Sequence, residues 1–278
     1  MSSDPLNISP REVSGLCDLK CALSFSYPRT ALVAKNNGIA ISCTPDNTNV
    51  PPVTFNLEKY EMTKINISYP SMHLFNGARA EGELIIDHSP VLGGNPLKIC
   101  VPIVQSRDPT LATDMVTSII DAVAKSAPSE NETIAISTEI TINDLLPNKP
   151  YFSYANPEGN FVVFPPTNGI PLPEAAIDVL HSVVRAFDQS SNAPNGVFLN
   201  KSGPNTSSSS GEGIYISCQP TGSSKEEVNI VYDTNSESGS LFKWVGMSST
   251  KIAAIFLVLI VLIIGFVQGV NAGITYLA

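Results

Sequence analysis

The sequence predicts a mainly β domain with a few helices, followed by one C-terminal transmembrane helix. Short segments in which apolar and polar residues alternate recur through the first 110 residues, as in half-buried strands. Two later segments repeat apolar residues at the spacing of one helix face. The run 252–270 is almost wholly apolar and is about long enough to span a bilayer core. These observations together predict a β-rich domain joined to a membrane anchor.

Turn-forming residues separate the predicted strands. Residues 21–27 alternate, and an Asn-Asn-Gly turn at 36–38 lies between two apolar runs, as in a hairpin. The segment 60–69 also alternates, so Asn66 and Ser68 share one face of a strand. The further strand segments are 82–88, 97–105, 133–142, 161–166, 214–218 and 228–232.

Two amphipathic helices are predicted between the strands. The first covers residues 110–125, and the second opens at Pro173-Glu174 and extends to Phe187. Their apolar stripes are formed by Met115, Val116, Ile119, Ile120 and Val123 in the first helix, and by Ile177, Leu180, Val184 and Phe187 in the second.

Composition divides the chain into a large domain and an anchor region. The segment 189–213 is rich in Ser, Asn, Gly and Pro, and predicts a flexible loop. The predicted parts are a domain over 1–233 that contains this loop, a linker over 234–251, a transmembrane helix over 252–270 and a short tail over 271–278.

The anchor is predicted to cross the membrane once. The run 252–270 has no polar face, which a buried helix of a soluble domain would normally have. Trp244 and Lys251 precede it as interfacial anchors, and no charged residue follows it. This charge bias predicts a tail-anchored protein whose large domain lies on the cytosolic side. The N-terminal residues lack the basic and apolar regions of a signal peptide.

Charge and cysteine content exclude some classes of function. The net charge of −9 and pI near 4.8 argue against nucleic-acid binding, which needs clustered Lys and Arg. The five cysteines are scattered and do not form the pattern of a secreted disulfide framework. Cys17 and Cys21 are close enough for a metal site or a disulfide, and otherwise the cysteines are buried or free thiols. Cys100 is expected in the core.

The stretch 71–90 resembles a segment of the α-carbonic anhydrases. That family has a Ser-x-His-x-x-Asp-Gly motif, then Ala-Glu-Leu-His and a second histidine, running into the central sheet. Ile85 stands where the family has a zinc-ligating histidine. The residues that match the family pattern are Ser71, His73, Gly77, Glu83, Leu84 and His88.

The resemblance extends unevenly over residues 4–190. Leu145-Leu146-Pro147 with Tyr151 and Tyr154 is similar to a Leu-Leu-Pro…Tyr…Tyr run of the family. The resemblance therefore implies an α-carbonic-anhydrase-like fold with a large twisted central sheet.

The same resemblance implies that the zinc site is absent. The family's enzymes need three imidazoles around zinc and one open position for water. The resemblance assigns Asn66, Ser68 and Ile85 to the three ligand positions, and Val163 to the threonine that orients the bound hydroxide. The chain has only three histidines, so no other alignment restores the site. We therefore expect no catalysis, no metal and no other cofactor.

Two polar residues of the family's zinc surroundings remain, His73 and Glu83, and both are expected to be structural. Glu83 lies in an apolar strand, so a buried carboxylate there should have a hydrogen-bonding partner. His88 is also expected to be structural, whereas His181, on the second predicted helix, is expected at the solvated surface.

The resemblance also implies a function. Zinc-less members of the family serve as binding or scaffold domains, and the segments CDLKC, FSYP, PSMHLFNG and GNPLKICVPI resemble carbonic-anhydrase-like proteins of giant viruses. The first hypothesis is a virion structural protein, anchored in an internal membrane derived from the endoplasmic reticulum and contacting other membrane proteins or the capsid shell. The alternatives are a surface attachment protein that binds a host glycan or receptor, and an enzyme of another kind that uses the remnant pocket.

Overall fold

The structure is a computed structural model, and it describes residues 5–17, 20–46, 50–187 and 194–205. The chain divides into two units, Met1–Ile214 and Tyr215–Ala278, and every described residue belongs to the first. The predicted anchor 252–270, its flanking Trp244 and Lys251, and the strands predicted after residue 213 lie outside the described residues. Within the described ranges, no helix is both long enough and apolar enough to cross a membrane.

Strands make up most of the described elements, as the alternating segments predict. The strands are β1 (Asn7–Ile8), β2 (Gly15–Leu16), β3 (Leu23–Phe25), β4 (Thr30–Asn36), β5 (Ala40–Pro45), β6 (Val53–Phe55), β7 (Glu58–Ser68), β8 (Leu74–Phe75), β9 (Ala78–Arg79), β10 (Gly82–Pro90), β11 (Leu97–Gln105), β12 (Thr133–Ile140), β13 (Tyr151–Asn156), β14 (Gly159–Val163), β15 (Ile170–Leu172) and β16 (Val197–Asn200). The α-helices are α1 (Leu111–Ser126) and α2 (Glu174–Val183), and short 3₁₀ helices cover Ile142–Leu145 and Pro166–Asn168.

One large sheet organises the domain. Among the described residues it has 13 strands, and its main path runs β12-β4-β5-β7-β10-β11-β14-β13-β16-β2. Strand β15 pairs with β11, and β3 pairs with β6, which in turn pairs with β7. The centre of the sheet, β5-β7-β10-β11, is antiparallel, whereas β11 runs parallel to β14. A second, small sheet joins β1, β8 and β9.

Hydrogen bonds at the ends of the two helices explain where α1 begins and how the chain continues after α2. Thr110 caps α1 through a reciprocal pair of hydrogen bonds with Thr113, which satisfies backbone N–H groups that the first turn leaves free. Helix α1 thus confirms the prediction within a residue. Helix α2 ends at Val183, so the expectation that it reaches Phe187 is wrong. The backbone N–H of Phe187 instead donates to the carbonyl of Tyr69 at 3.0 Å.

The helices cover one face of the large sheet, here called the helical face. Helix α1 buries an aliphatic stripe, including Val116 and Ile119, in the same cluster as Ile65, Ile86 and Ile99 from the central strands. Burial of such side chains stabilises a fold by about 1.5–3 kcal/mol each. The helical face is therefore an apolar core in which the helices contribute aliphatic side chains.

The opposite face, here called the cleft face, has a core of its own. It carries Ile85, Cys100 and Val163, which are buried together with Ile8 and Phe75 of the small sheet. The small sheet therefore contributes to the cover of this face.

The predicted loop over 189–213 contains a strand, which corrects that expectation in part. Strand β16 pairs antiparallel with β13, placing Phe152 opposite Leu199, and parallel with β2. Its residues adopt extended structure because two neighbouring strands accept their backbone hydrogen bonds. The rest of 189–213 lies largely outside the described residues.

Cys17 and Cys21 form a disulfide, so they are neither free thiols nor a metal site. The bridge joins residues four positions apart, beside the start of β3. The Tyr151 hydroxyl donates to the carbonyl of Cys21 at 2.5 Å and attaches this corner to β13. Cys43 and Cys100 are free and buried.

Candidate functional site

The register of the sheet places the positions assigned to the zinc site on one face. Asn66 of β7 lies opposite Ile85 of β10, and Ile85 lies opposite Cys100 of β11. Cys100 in turn pairs with Val163 of β14. Ser68 lies two residues beyond Asn66 on β7, so both side chains point to the same side.

Asn66 is held in a chain of polar side chains across the sheet. Its amide oxygen accepts from the Ser42 hydroxyl at 2.5 Å, and its amide nitrogen donates to Asp87 at 2.7 Å. Asp87 also accepts a 2.6 Å hydrogen bond from the Lys98 ammonium, while the side chain of Asn37 donates to Ser42 at 2.6 Å. Both ends of the Asn66 amide are therefore occupied by protein groups.

The other assigned positions are filled by packing groups. Ile85 is 5% exposed and Val163 is fully buried, and both lie in the cleft-face core beside Met72. Ser68 is buried, and its hydroxyl donates over 3.5 Å to the carbonyl of Glu83. An alkyl group, a hydroxyl and an amide do not make the set of nitrogen or sulfur donors that zinc prefers.

Glu83 and His73 form a fully buried polar pair next to these positions. The His73 Nδ1 lies 2.7 Å from Glu83 Oε1, and its Nε2 lies 2.8 Å from the Tyr154 hydroxyl. Glu83 Oε2 accepts from the backbone N–H groups of Met72 at 2.7 Å and His73 at 3.2 Å. Every atom of the carboxylate and of the imidazole that can form a hydrogen bond is thereby satisfied, which is what full burial requires.

Cys100 completes a group of three metal-binding residue types with His73 and Glu83. One donor atom of each lies within 4.8 Å of the others, and all three residues are buried. Burial raises the pKa of the Cys100 thiol, so this sulfur is held as the neutral thiol rather than as the thiolate that ligates metals. A metal would also have to displace the hydrogen bonds of the His73 imidazole and the Glu83 carboxylate. The three residues fit a hydrogen-bonded core better than a metal site.

The other histidines lie away from the cleft face. His88 is buried in contact with Tyr27, whose hydroxyl is 2.7 Å from His88 Nε2. Its Nδ1 lies 3.3 Å from the carbonyl of Leu97, and burial lowers its pKa to about 4. The neutral ring therefore donates from Nδ1 and accepts at Nε2.

His181 is not the solvated residue that was expected. Its ring lies against Tyr69, with the ring centroids 3.6 Å apart, and its Nε2 is enclosed without a hydrogen-bond partner. The helix residue thus packs over the end of β7 instead of pointing into water.

Sequence reasoning missed four members of the polar chain, Asn37, Ser42, Asp87 and Lys98. It also missed the link from His73 to Tyr154. The sequence does contain a pattern that could have indicated two of these residues. Asp87 lies two residues from Ile85, and Lys98 lies two residues from Cys100, so each shares a strand face with a residue of the cleft face. Pairing these residues also requires the register between strands, which the sequence does not state.

Comparison with known proteins identifies the fold. No protein-family model and no curated protein sequence matches the chain. Among solved structures, dioscorin in complex with ascorbate has a TM-score of 0.59 at 16% identity, over 72% of this chain and 86% of dioscorin. The α-carbonic anhydrase of Thermovibrio ammonificans has a TM-score of 0.57 at 16% identity, over 71% and 85% of the two chains. Carbonic anhydrase Cah3 of Chlamydomonas reinhardtii has a TM-score of 0.57 at 16% identity, over 71% and 90%. The described part of the chain has the α-carbonic anhydrase fold.

Proposed function

We propose that this protein is a non-enzymatic scaffold, in which a carbonic-anhydrase-like domain is held at a membrane by the C-terminal segment 252–270. The observation that carries the proposal is that protein groups fill the zinc positions assigned on the cleft face. The positions assigned to zinc are occupied by Asn66, Ser68 and Ile85, whose side chains are engaged in hydrogen bonds or packed in a core.

The polar groups that remain on the cleft face support a structural role. His73 and Glu83 are fully buried and bonded to each other, so neither can reach a substrate without opening the core. A general acid or base has to contact the reacting group within hydrogen-bonding distance. The arrangement suits stability, and it does not place His73 or Glu83 to act as a general acid or base on a bound substrate.

The resemblance to giant-virus proteins extends the proposal to a virion. The anchor would hold the domain on an internal membrane, and the domain would contact other membrane or capsid proteins. Protease treatment of purified particles, before and after removal of the shell, tests this setting. Protection of the domain only while the shell is present is expected, and cleavage in intact particles would instead favour a surface attachment role.

The absence of enzymatic activity can be tested directly. The purified full chain, with and without added zinc, should hydrate carbon dioxide no faster than buffer with the same zinc concentration. The matched variant Asn66→His/Ser68→His/Ile85→His restores three imidazoles on one face, and we expect it to retain zinc after dialysis but to turn over slowly, since Val163 cannot orient a hydroxide. Zinc-dependent hydration by the unaltered chain would contradict the proposal.

The anchor can be tested by placing charges at its centre. Leu259→Arg/Leu262→Arg should release the protein from membranes in an alkaline wash, because each arginine costs about 2.5–3.5 kcal/mol at a helix centre. The matched variant Ser236→Arg/Ser238→Arg adds the same charges to the predicted linker and should stay with the membrane. Retention of both variants would show that 252–270 is not the anchor.

A further inference from the structure

A strained turn with an exposed leucine joins β6 to β7. Asn56 and Leu57 both have positive φ angles, 55° and 69°, as in a two-residue type I′ hairpin turn. The second position of such a turn favours glycine, because a side chain with a β-carbon is strained there. Leu57 is 95% exposed, so no packing contact offsets that strain. A bulky apolar residue at this place therefore weakens the fold and requires another explanation.

The neighbouring turn, between β10 and β11, also presents apolar side chains. Leu92 is 98% exposed and Val91 is 43% exposed. The two turns are adjacent, because the backbone N–H of Val91 donates to the carbonyl of Lys59 at 2.9 Å, two residues after Leu57. Leu57, Val91 and Leu92 therefore lie exposed on two adjacent turns, and the three residues are here called the apolar tip.

A polar hollow lies directly behind the apolar tip. It has a volume of about 370 Å³ and lies between the two turns, lined in part by Asn56, Glu58 and Asn95. The tip is therefore apolar at its end and polar just behind. This order of chemistry matches the interface of a bilayer, where acyl chains give way to hydrated headgroups.

The described chain ends at the same side of the domain. The backbone N–H of Asn205 donates to the carbonyl of Leu23 at 3.0 Å, and Asn205 Oδ1 accepts from the backbone of Phe25. Leu23 pairs with Phe55, two residues before Leu57. Asn205, the last described residue, therefore lies beside β3, the neighbour of the strand that enters the strained turn.

We propose that the apolar tip rests in the interface of the bilayer that holds the C-terminal anchor, and so fixes the orientation of the domain above the membrane. The inference rests on the proposed anchor. Charges near the tip are mixed, with Glu58 and Glu61 beside Lys59, so the contact is apolar and does not select anionic lipid. A zwitterionic phosphatidylcholine surface is its partner.

The test uses the full chain reconstituted in phosphatidylcholine vesicles. In a Trp244→Phe background, which removes the one native tryptophan, single tryptophans are placed by Leu57→Trp, Leu92→Trp or Leu111→Trp. Leu111 is a matched control, since it is 67% exposed and follows the end of β11 that is remote from Leu92. Lipids brominated near the headgroup should quench the first two tryptophans at least twofold and leave the third unchanged. Equal quenching at all three positions, or none at 57 and 92, would overturn the proposal.

The same samples separate this inference from the anchor. Flotation with the vesicles after an alkaline wash reports insertion of 252–270 independently of quenching. Insertion without quenching at the tip leaves the anchor standing and overturns the bilayer contact, whereas loss of the chain in the wash overturns both. A blue shift at position 57 that depends on protein density, without quenching by lipid, would assign the tip to a second copy of the chain.

Leu57→Gly tests why the strained leucine is there. The variant creates an Asn-Gly turn, which suits type I′ geometry, so we expect a higher melting temperature. Removal of the exposed side chain should at the same time lower lipid quenching of Leu92→Trp at least twofold. A lower melting temperature with unchanged quenching would show that Leu57 serves the fold and would overturn the proposal.

Discussion

The helical face of the large sheet packs against α1 and α2 through aliphatic side chains, whereas the cleft face combines an apolar cluster with two polar networks. On the helical face, residues such as Ile86 and Ile99 are buried among other aliphatic groups. On the cleft face, the fully buried Glu83 and His73 lie beside Ile85 and Cys100. The two faces belong to the same central strands, and alternate residues of β10 and β11 point to each.

The difference shows what kind of constraint shapes each face. An aliphatic core tolerates exchange of one apolar residue for another of similar volume. A buried polar network does not, because removal of one partner leaves the other unsatisfied in a medium of low dielectric. The cleft face is therefore expected to be the more sensitive of the two, although it holds fewer buried residues.

Breaking the polar pair should give the largest effect. Glu83→Ala leaves the His73 imidazole and two backbone N–H groups without their partner, so we expect a loss of about 3–5 kcal/mol in the free energy of unfolding. Urea denaturation of the detergent-solubilised chain measures it. Glu81→Ala removes an exposed carboxylate two residues away and should change stability by less than about 0.5 kcal/mol. Similar changes in the free energy of unfolding for the two variants would show that the His73–Glu83 pair does not stabilise the fold.

Neighbouring isoleucines allow the two faces to be compared at a single strand. Ile86→Ala on the helical face and Ile85→Ala on the cleft face should each cost about 2–5 kcal/mol, because each removes a buried side chain from a packed cluster. Thermal unfolding of both variants is the measurement. A cost below about 0.5 kcal/mol for Ile85→Ala alone would mean that the cleft face is an open pocket rather than a core.

The pH dependence of stability should come from the helical side, through His88. Burial lowers its folded-state pKa to about 4, below the usual 6.5, so the unfolded chain binds the proton more tightly. The contribution of neutral His88 to the free energy of unfolding is fully present above the pKa of the unfolded state. It is lost as the pH falls towards the pKa of the folded state. Between pH 7 and about 4.5 we expect a loss of roughly 2–3 kcal/mol from this residue.

His88→Gln provides the control for that prediction. The variant keeps a polar side chain near Tyr27 but removes the titration, so the fall in stability between pH 6.5 and 4 should become shallower by the same amount. Unfolding curves of the variant and of the unaltered chain, collected across this pH range, measure the difference. An identical slope in the variant and the unaltered chain would exclude His88 as the source.

The elements of the helical face could be read from the sequence because their cause is local. The stripe that includes Val116 and Ile119 predicts α1, and the Thr110 cap fixes its start. The end of α2 was predicted too late, because Phe187 continues the apolar pattern but its backbone bonds to Tyr69 instead. The spacing of apolar residues along the helix cannot predict a tertiary hydrogen bond of this kind.

The cleft face could be predicted only in part. Alternation along β7 places Asn66 and Ser68 on one side, and the family resemblance indicates that Ile85 and Val163 join them. The bonds from Asn66 to Ser42 and Asp87 depend on the register between three strands, which no local pattern specifies. Strand β16 was missed for a similar reason, since four residues in a Ser- and Asn-rich segment become a strand only by pairing with neighbours.

The central claim is that the cleft face is a self-sufficient core that needs no metal. The most direct test measures zinc content and melting temperature of the purified full chain before and after treatment with a chelator. The account predicts less than about 0.1 zinc per chain and no change in melting temperature, because Glu83, His73 and Asn66 are satisfied by protein groups. One zinc per chain, lost together with a drop in melting temperature on chelation, would contradict it.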